Sequence, residues 1–275
     1  MKIATIVGAR PQFIKAAVVS REIAIRDDVD EILIHTGQHY DPNMSDVFFQ
    51  EMSIPKPAYH LGISGGSHGQ MTGRQLEAIE RVLMNEQPDL VLVYGDTNST
   101  VAGALAAAKL HIPVAHVEAG LRSNNRRMPE EINRIVTDHV SDFLMAPSKM
   151  AMINLEREGL AEKASFVGDV MYDAALLYGD EAELKSTILE DMGLERGAFR
   201  LATVHRAENT DDPRRLHAIF DALRSLAAEA LLVLPLHPRT RKKLQNMGNI
   251  ASLTAGIDVI EPVGVFDIIR LLRGA

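Results

Sequence analysis

Short apolar runs alternate with longer helical segments along almost the whole chain, and that rhythm limits the fold more than any other feature. The runs at 2–7, 31–36, 90–94, 114–117, 143–145 and 165–167 read as strands. Between them, 11–25, 70–85, 99–110, 130–140 and 149–158 read as helices, the Ala-rich GALAAAKL stretch most strongly. Strand-helix alternation of this kind predicts an α/β protein, a parallel sheet covered by helices on both faces. The pattern pauses at 168–197, where a helix near 171–178 leads into the charged stretch DEAELKSTILEDMGLERG. It resumes with strands at 200–204, 230–235 and 258–260 and helices at 213–227, 240–247 and 265–272. The expected organisation is a Rossmann-like domain at 1–168, a linker helix and loop at 169–197, and a second, partial Rossmann-like domain at 198–275. Three parallel strands leave a sheet edge without neighbours, so the second domain reads as incomplete and the chain as cut short, with a naturally small second lobe as the alternative.

Composition narrows the class. A chain of 275 residues accommodates two domains, and 46% hydrophobic with 24% charged residues marks a globular protein. The net charge of −8 argues against nucleic acid as a partner. Cysteine is absent, which excludes disulfides, thiolate chemistry and Cys-ligated metals. No apolar run reaches the ~18 residues of a membrane span. The N-terminus MKIATIVGARPQ passes straight into a strand-turn pattern rather than a signal peptide. A soluble cytoplasmic protein without a membrane partner is expected.

Two consecutive apolar runs end on a carboxylate: LVLVYGDTNST at Asp96 and PVAHVEAGLR at Glu118. MPEEINR follows with Glu130 and Glu131, and Asn133 and Arg134 lie a turn along. In a parallel α/β sheet the C-terminal strand ends face the ligand crevice, so acids gathered there point to proton transfer. Each acid alone has a structural reading. Asp96 would cap the next helix, Glu118 could pair with Arg122, and Glu130 and Glu131 would complement the helix dipole after Pro129.

Other segments could hold ligand. GARPQFIK after the first strand places Arg10 and Lys15 near a helix N-terminus whose N–H groups suit an anion such as a diphosphate, although both side chains could equally be solvated. TGQHYDPNMSDVFF sets Gln38 and His39 at a strand end near Asp41, with Phe48 and Phe49 packing under the loop. GGSHGQMTGRQ is a Gly-rich loop with His68, a weak signal alone. ATVHRAENTD brings His205, Arg206, Glu208 and Asn209 to a strand end, where they would hold phosphate, protonate a leaving group or form salt bridges between domains. His237 and the basic run Arg239 to Lys243 read better as a solvated helix start. No metal motif, P-loop, dinucleotide fingerprint or nucleophile elbow is present.

Taken together, GARPQFIK, TGQHYD, VYGDTNST, HVEAGLRS, MPEEINR, VGDVMYDA and HRAEN resemble the non-hydrolysing UDP-N-acetylglucosamine 2-epimerases, in order and over nearly the whole chain. The resemblance implies two Rossmann-like domains of the glycosyltransferase-B type facing a cleft, a homodimer, and no metal or nicotinamide cofactor. It implies reversible C2 epimerisation of UDP-GlcNAc to UDP-ManNAc, through anti elimination of UDP to a 2-acetamidoglucal and readdition. Carried over by motif, Asp96, Glu118, Glu130 and His205 are the catalytic positions. Arg10, Lys15, Gln38, His39, Arg134, Arg206 and Asn209 are the substrate-binding ones. The family continues past IEPVGVFDIIRLLRGA with a Ser-Gly-Gly turn that binds UDP, so weak UDP binding and impaired turnover are expected of a chain without it. Two alternatives stand beside it: a C2 epimerase of a modified UDP sugar such as UDP-2,3-diacetamido-glucuronic acid, a group that shares the MPEEINR wording, and a non-catalytic nucleotide-sugar binding protein, against which the intact acids speak. A glycosyltransferase of this architecture is a third; it would not exchange the C2 proton.

Overall fold

The computed structural model describes residues 1–38, 52, 54–248 and 250–275. Elements are numbered along these residues. The chain forms two compact units, Met1–Leu177 and Tyr178–Ala275.

In the first unit seven strands make one parallel sheet: β1 (Lys2–Val7), β2 (Asp30–His35), β3 (Tyr59–His60), β4 (Leu90–Tyr94), β5 (Val114–Val117), β6 (Phe143–Ala146) and β7 (Ala164–Phe166). Their spatial order is β3-β2-β1-β4-β5-β6-β7. The order reverses between β1 and β4, and at such a switch point the strand ends open a crevice for ligand. The helices are α1 (Arg10–Ala24), α2 (His68–Glu86), α3 (Asn98–Lys109), α4 (Pro129–Val140), α5 (Lys149–Arg157) and α6 (Val170–Lys185), the last crossing the boundary between the units. Helices suit the connections because parallel strands cannot be joined by a tight turn.

The core explains the placement. Ile6, Ile34, Val91, Val93 and Val114 on the strands pack with Ile79 and Leu83 of α2 and with Ala102, Ala104, Ala106 and Ala107 of α3. Small side chains let α3 lie close to the sheet, and good helix formers hold its shape. Caps set the helix starts: Ser67 Oγ accepts from the Gln70 N–H, the Thr97 side chain from the Thr100 N–H, and Ser148 Oγ from the Ala151 N–H. Each ties a strand-end turn to the helix that follows.

The second unit holds a three-stranded parallel sheet of order β10-β9-β8, from β8 (Phe199–Leu201), β9 (Leu231–Pro235) and β10 (Asp258–Ile260). Its helices are α7 (Ile188–Asp191), α8 (Ala207–Thr210), α9 (Pro213–Ala227), α10 (Pro238–Asn246), α11 (Ile250–Leu253) and α12 (Val265–Gly274). Leu216 and Phe220 of α9 pack on Leu232, Leu234, Leu236 and Leu244. Leu189, Leu194, Phe199, Val233 and Leu271 form a second cluster. Two sequence expectations need correction. The helix expected at 171–178 runs on to Lys185, because DEAELK keeps helical propensity. The strand expected at 200–204 ends at Leu201, leaving the segment before α8 irregular. Among the described residues no helix is long and apolar enough to cross a membrane.

Candidate active site

The turn after β1 is closed by its own sequence. Gln12 Oε1 accepts from the N–H groups of Gly8 at 2.8 Å and Ala9 at 3.0 Å, and Gln12 Nε2 donates to the Tyr94 carbonyl at 2.8 Å and Thr100 Oγ1 at 3.0 Å. The bond to Thr100 spans the switch point, joining α1 to α3. The N–H groups of Gln12 and Phe13 bond the Ala9 carbonyl, and Pro11 has none. The donors expected at this helix start for an anion are therefore largely spent inside the chain. Arg10 is half-buried at the start of α1. Lys15 is 7% exposed, and its ammonium pairs with Glu118.

Glu118 follows β5 with φ of 74°, a region that non-glycine residues seldom enter. Its pairing with Lys15 corrects the expectation that Arg122 would be its partner. Arg122 instead bonds Asp138 Oδ2 at 2.7 Å and binds Glu158 through Nε and Nη2, each at 2.7 Å. Asp96 does not cap α3, a place Thr97 takes; its carboxylate pairs with Arg134, and its carbonyl accepts from Asn133 Nδ2 at 2.9 Å.

Arg134 also reaches Glu131 at 3.0 Å. Glu131, 2% exposed, accepts from the Ser123 N–H at 2.8 Å, Ser123 Oγ at 2.9 Å and the Asn124 N–H at 3.0 Å. Burial pushes its carboxyl up, but the Ser123 and Asn124 hydrogen bonds and the Arg134 charge outweigh burial and hold it below the usual carboxylate range. Glu131 thus braces the loop before α4. Among the described residues no side chain or N–H bonds the Glu130 carboxylate, which is half-buried in the first turn of α4. Of the two adjacent acids, only Glu131 is committed to holding the loop.

Gln38 Oε1 accepts from the Ser99 N–H at 3.1 Å and Ser99 Oγ at 2.8 Å, so it belongs to the same strand-end layer. The Asn98 amide sits 3.3 Å from His68 Nδ1 and 3.3 Å from Asn133 Nδ2, linking the Gly-rich loop to the acidic set. Arg74 holds that loop through the carbonyls of Ser64 at 3.1 Å and Gly65 at 2.7 Å. His39, Asp41, Phe48 and Phe49 lie outside the described residues.

In the second unit His205 and Arg206 are exposed after β8, and Asn209 lies half-buried in α8, with its N–H on the Arg206 carbonyl at 3.0 Å. The His205 ring lies 6.2 Å from that of His237, which caps α10 by accepting from the Arg239 N–H at 3.2 Å. Arg239 and Lys243 both pair with Asp211, at 2.7 and 2.9 Å, so the basic run is anchored rather than merely solvated.

Sequence reading passed over Gln12 and an ionic chain that runs from buried His116, Asp138 and Arg122 to half-buried Glu158. A histidine inside the otherwise apolar strand VAHV was the available signal. Asp138 shares its helix face with Glu131, seven residues earlier.

Residues 21–275 match the UDP-N-acetylglucosamine 2-epimerase family. The chain belongs to that family. It is 55% identical to the UDP-2,3-diacetamido-2,3-dideoxy-D-glucuronate 2-epimerase of Pseudomonas aeruginosa, over 99% of this chain and 76% of that protein. The crystal structure of Methanocaldococcus jannaschii UDP-GlcNAc 2-epimerase in complex with UDP-GlcNAc and UDP is 42% identical, with TM-score 0.89 over 100% of this chain and 77% of that one. The Neisseria meningitidis UDP-GlcNAc 2-epimerase bound to UDP-GlcNAc is 30% identical, with TM-score 0.88 over 100% of this chain and 76% of that one. The expected class, Rossmann-like α/β units of the glycosyltransferase-B type, is borne out. The chain is an isomerase of the UDP-sugar 2-epimerase kind.

Proposed function

We propose that this chain interconverts C2 epimers of a UDP-linked 2-acetamido sugar, UDP-GlcNAc and UDP-ManNAc in the first instance. One carboxylate takes the C2 proton as the bond from C1 to the UDP oxygen breaks, giving the 2-acetamidoglucal and UDP. A second acid returns a proton to the opposite face of C2 as the UDP oxygen re-forms its bond to C1. The chemistry needs an acid and a base on two sides of one carbon, and charge to stabilise the departing diphosphate. Asp96, Glu118 and Glu130 are assigned to the first task. His205, with Arg206, Asn209 and Arg10, is assigned to the second. Lys15 and Arg134 fix the two paired carboxylates in place. Gln38 and His39 complete the sugar-binding layer.

The observation that carries this reading is the acidic set itself. Glu118 and Asp96 lie at the ends of the adjacent strands β4 and β5, each paired with a largely buried cation. Binding alone gives no reason to place acids beside a diphosphate, which weighs against a non-catalytic sensor. A second sugar has a specific observation in its favour: 55% identity to the diacetamido-glucuronate enzyme against 42% to the M. jannaschii enzyme named for UDP-GlcNAc. A cytoplasmic homodimer is the form proposed for the working enzyme. Incubation with each sugar nucleotide in D2O tests the reading. The C2 epimer carrying deuterium at C2 is expected from one of the two. No epimer from either, or an epimer that keeps its C2 proton, contradicts it.

A further inference from the structure

His116 lies in β5 with both ring nitrogens engaged. Nδ1 is 2.7 Å from Asp138 Oδ1 and Nε2 is 2.7 Å from the Gly95 carbonyl oxygen, and the His116 and Asp138 side chains are fully buried. A carbonyl oxygen has no proton to give, so Nε2 is the donor there. Asp138 is held as an acceptor too, because its other oxygen takes the Gly120 N–H at 3.1 Å and the Arg122 guanidinium at 2.7 Å. Burial would raise the Asp138 carboxyl, but the His116 hydrogen bond and charge, with Arg122, hold it below the usual carboxylate range. With an acceptor at each end, the ring is satisfied only with a proton on both nitrogens. The charged groups around the ring are Asp138 and Arg122, both buried, and beyond them Glu158, which is partly exposed and has His139 Nδ1 at 3.8 Å.

The location gives this buried ion pair a task. Gly95 immediately precedes Asp96, its N–H donates to the Val117 carbonyl at 3.0 Å, and its own carbonyl is taken by His116. Gly120 lies just past Glu118, and its N–H is taken by Asp138. One ion pair therefore fastens the turn that carries Asp96 and the turn that carries Glu118. The contact is close, since a Cβ at Gly95 would lie 3.1 Å from Glu118 Oε2 and 3.3 Å from Lys15 Nζ.

We propose that His116 is a positioning residue: donating from both ring nitrogens, it clamps Gly95 to Asp138 and thereby fixes the spacing of Asp96 and Glu118 for chemistry at the sugar C2. The inference rests on the epimerase reading for its kinetic consequence but not for its chemical one, so two measurements separate them. The first is a long-range 1H–15N spectrum of the full chain at pH 7.5, with His116 assigned through His116→Asn. Two protonated ring nitrogens are expected for His116, and in Asp138→Asn one of them is expected to lose its proton. An unprotonated ring nitrogen in the native chain overturns the proposal whatever the substrate proves to be. The second is the C2 exchange rate of folded His116→Asn. A fall in kcat of about 30-fold or more with KM within about threefold is expected, because misplaced groups cost rate more than binding. An unchanged kcat overturns the positioning role. If His116→Asn does not fold, His116→Gln supplies both the assignment and the rate.

Discussion

Glu118 keeps a left-handed backbone at φ 74°, which costs a residue with a side chain about 1–2 kcal/mol. Two nearby glycines take the same backbone region without that cost. Gly95 has φ 65° and Gly120 φ 80°. Gly95→Ala is expected to lose about 1–2 kcal/mol of stability from backbone strain alone. Its kcat is expected to fall by about tenfold or more as the new methyl presses on Glu118 and Lys15. At Gly120 a Cβ would meet the Ala151 carbonyl at 2.5 Å and Leu155 Cγ at 2.8 Å. Gly120→Ala should therefore lose more stability than Gly95→Ala, and urea denaturation compared with exchange assays distinguishes the two. At this scale the sequence was legible where a charge broke an apolar run, as at Asp96 and Glu118. It was not legible where partners met across the sheet. Nothing local in HVEAGLR says that Glu118 meets Lys15 while Arg122 turns to Asp138 and Glu158, since that choice follows from strand order.

Helix α4 begins with two acids of opposite fate. Glu131 accepts four hydrogen bonds and anchors the loop before the helix, whereas no side chain or N–H among the described residues bonds the Glu130 carboxylate. Glu131→Gln is expected to lose about 2 kcal/mol, since it leaves buried donors poorly matched. The sign of the pH effect follows from its lowered folded pKa. The stability it adds is complete above the ordinary carboxylate pKa and disappears as pH falls below about 4. The difference between wild type and Glu131→Gln, measured by denaturant titration, should be full at pH 7 and shrink below pH 4. Glu130→Gln should leave stability within about 0.5 kcal/mol yet depress exchange. The long elements were readable because their periods are sustained, as in α3 and α9. The two-residue β3 and the single-turn helices α7, α8 and α11 were not, because tertiary contacts rather than local propensity hold them.

The first unit as a whole carries a pH liability in its core. His35, at the end of β2, is 1% exposed and stacks on Phe13 at 5.0 Å and His60 at 4.6 Å. Burial, then the nearby His60, lowers its pKa from 6.5 to about 4. The unfolded chain takes up that proton first, so stability is undiminished above about pH 6.5, falls as pH drops, and levels off below about pH 4. The full loss is about 3 kcal/mol. His35→Phe should flatten that part of the stability curve, and a persistent slope there would assign it to another group. At this scale several motifs in one order placed the chain in its family and fold. The claim that now depends on experiment is that the strand-end acids perform the proton transfers. The direct measurement is deuterium incorporation at C2 of the UDP sugar in D2O for wild type, Asp96→Asn, Glu118→Gln and Glu130→Gln. Exchange in the wild type, falling by about 100-fold or more in variants that still bind UDP sugar, is the expected result. Exchange that survives in all three variants would contradict the account.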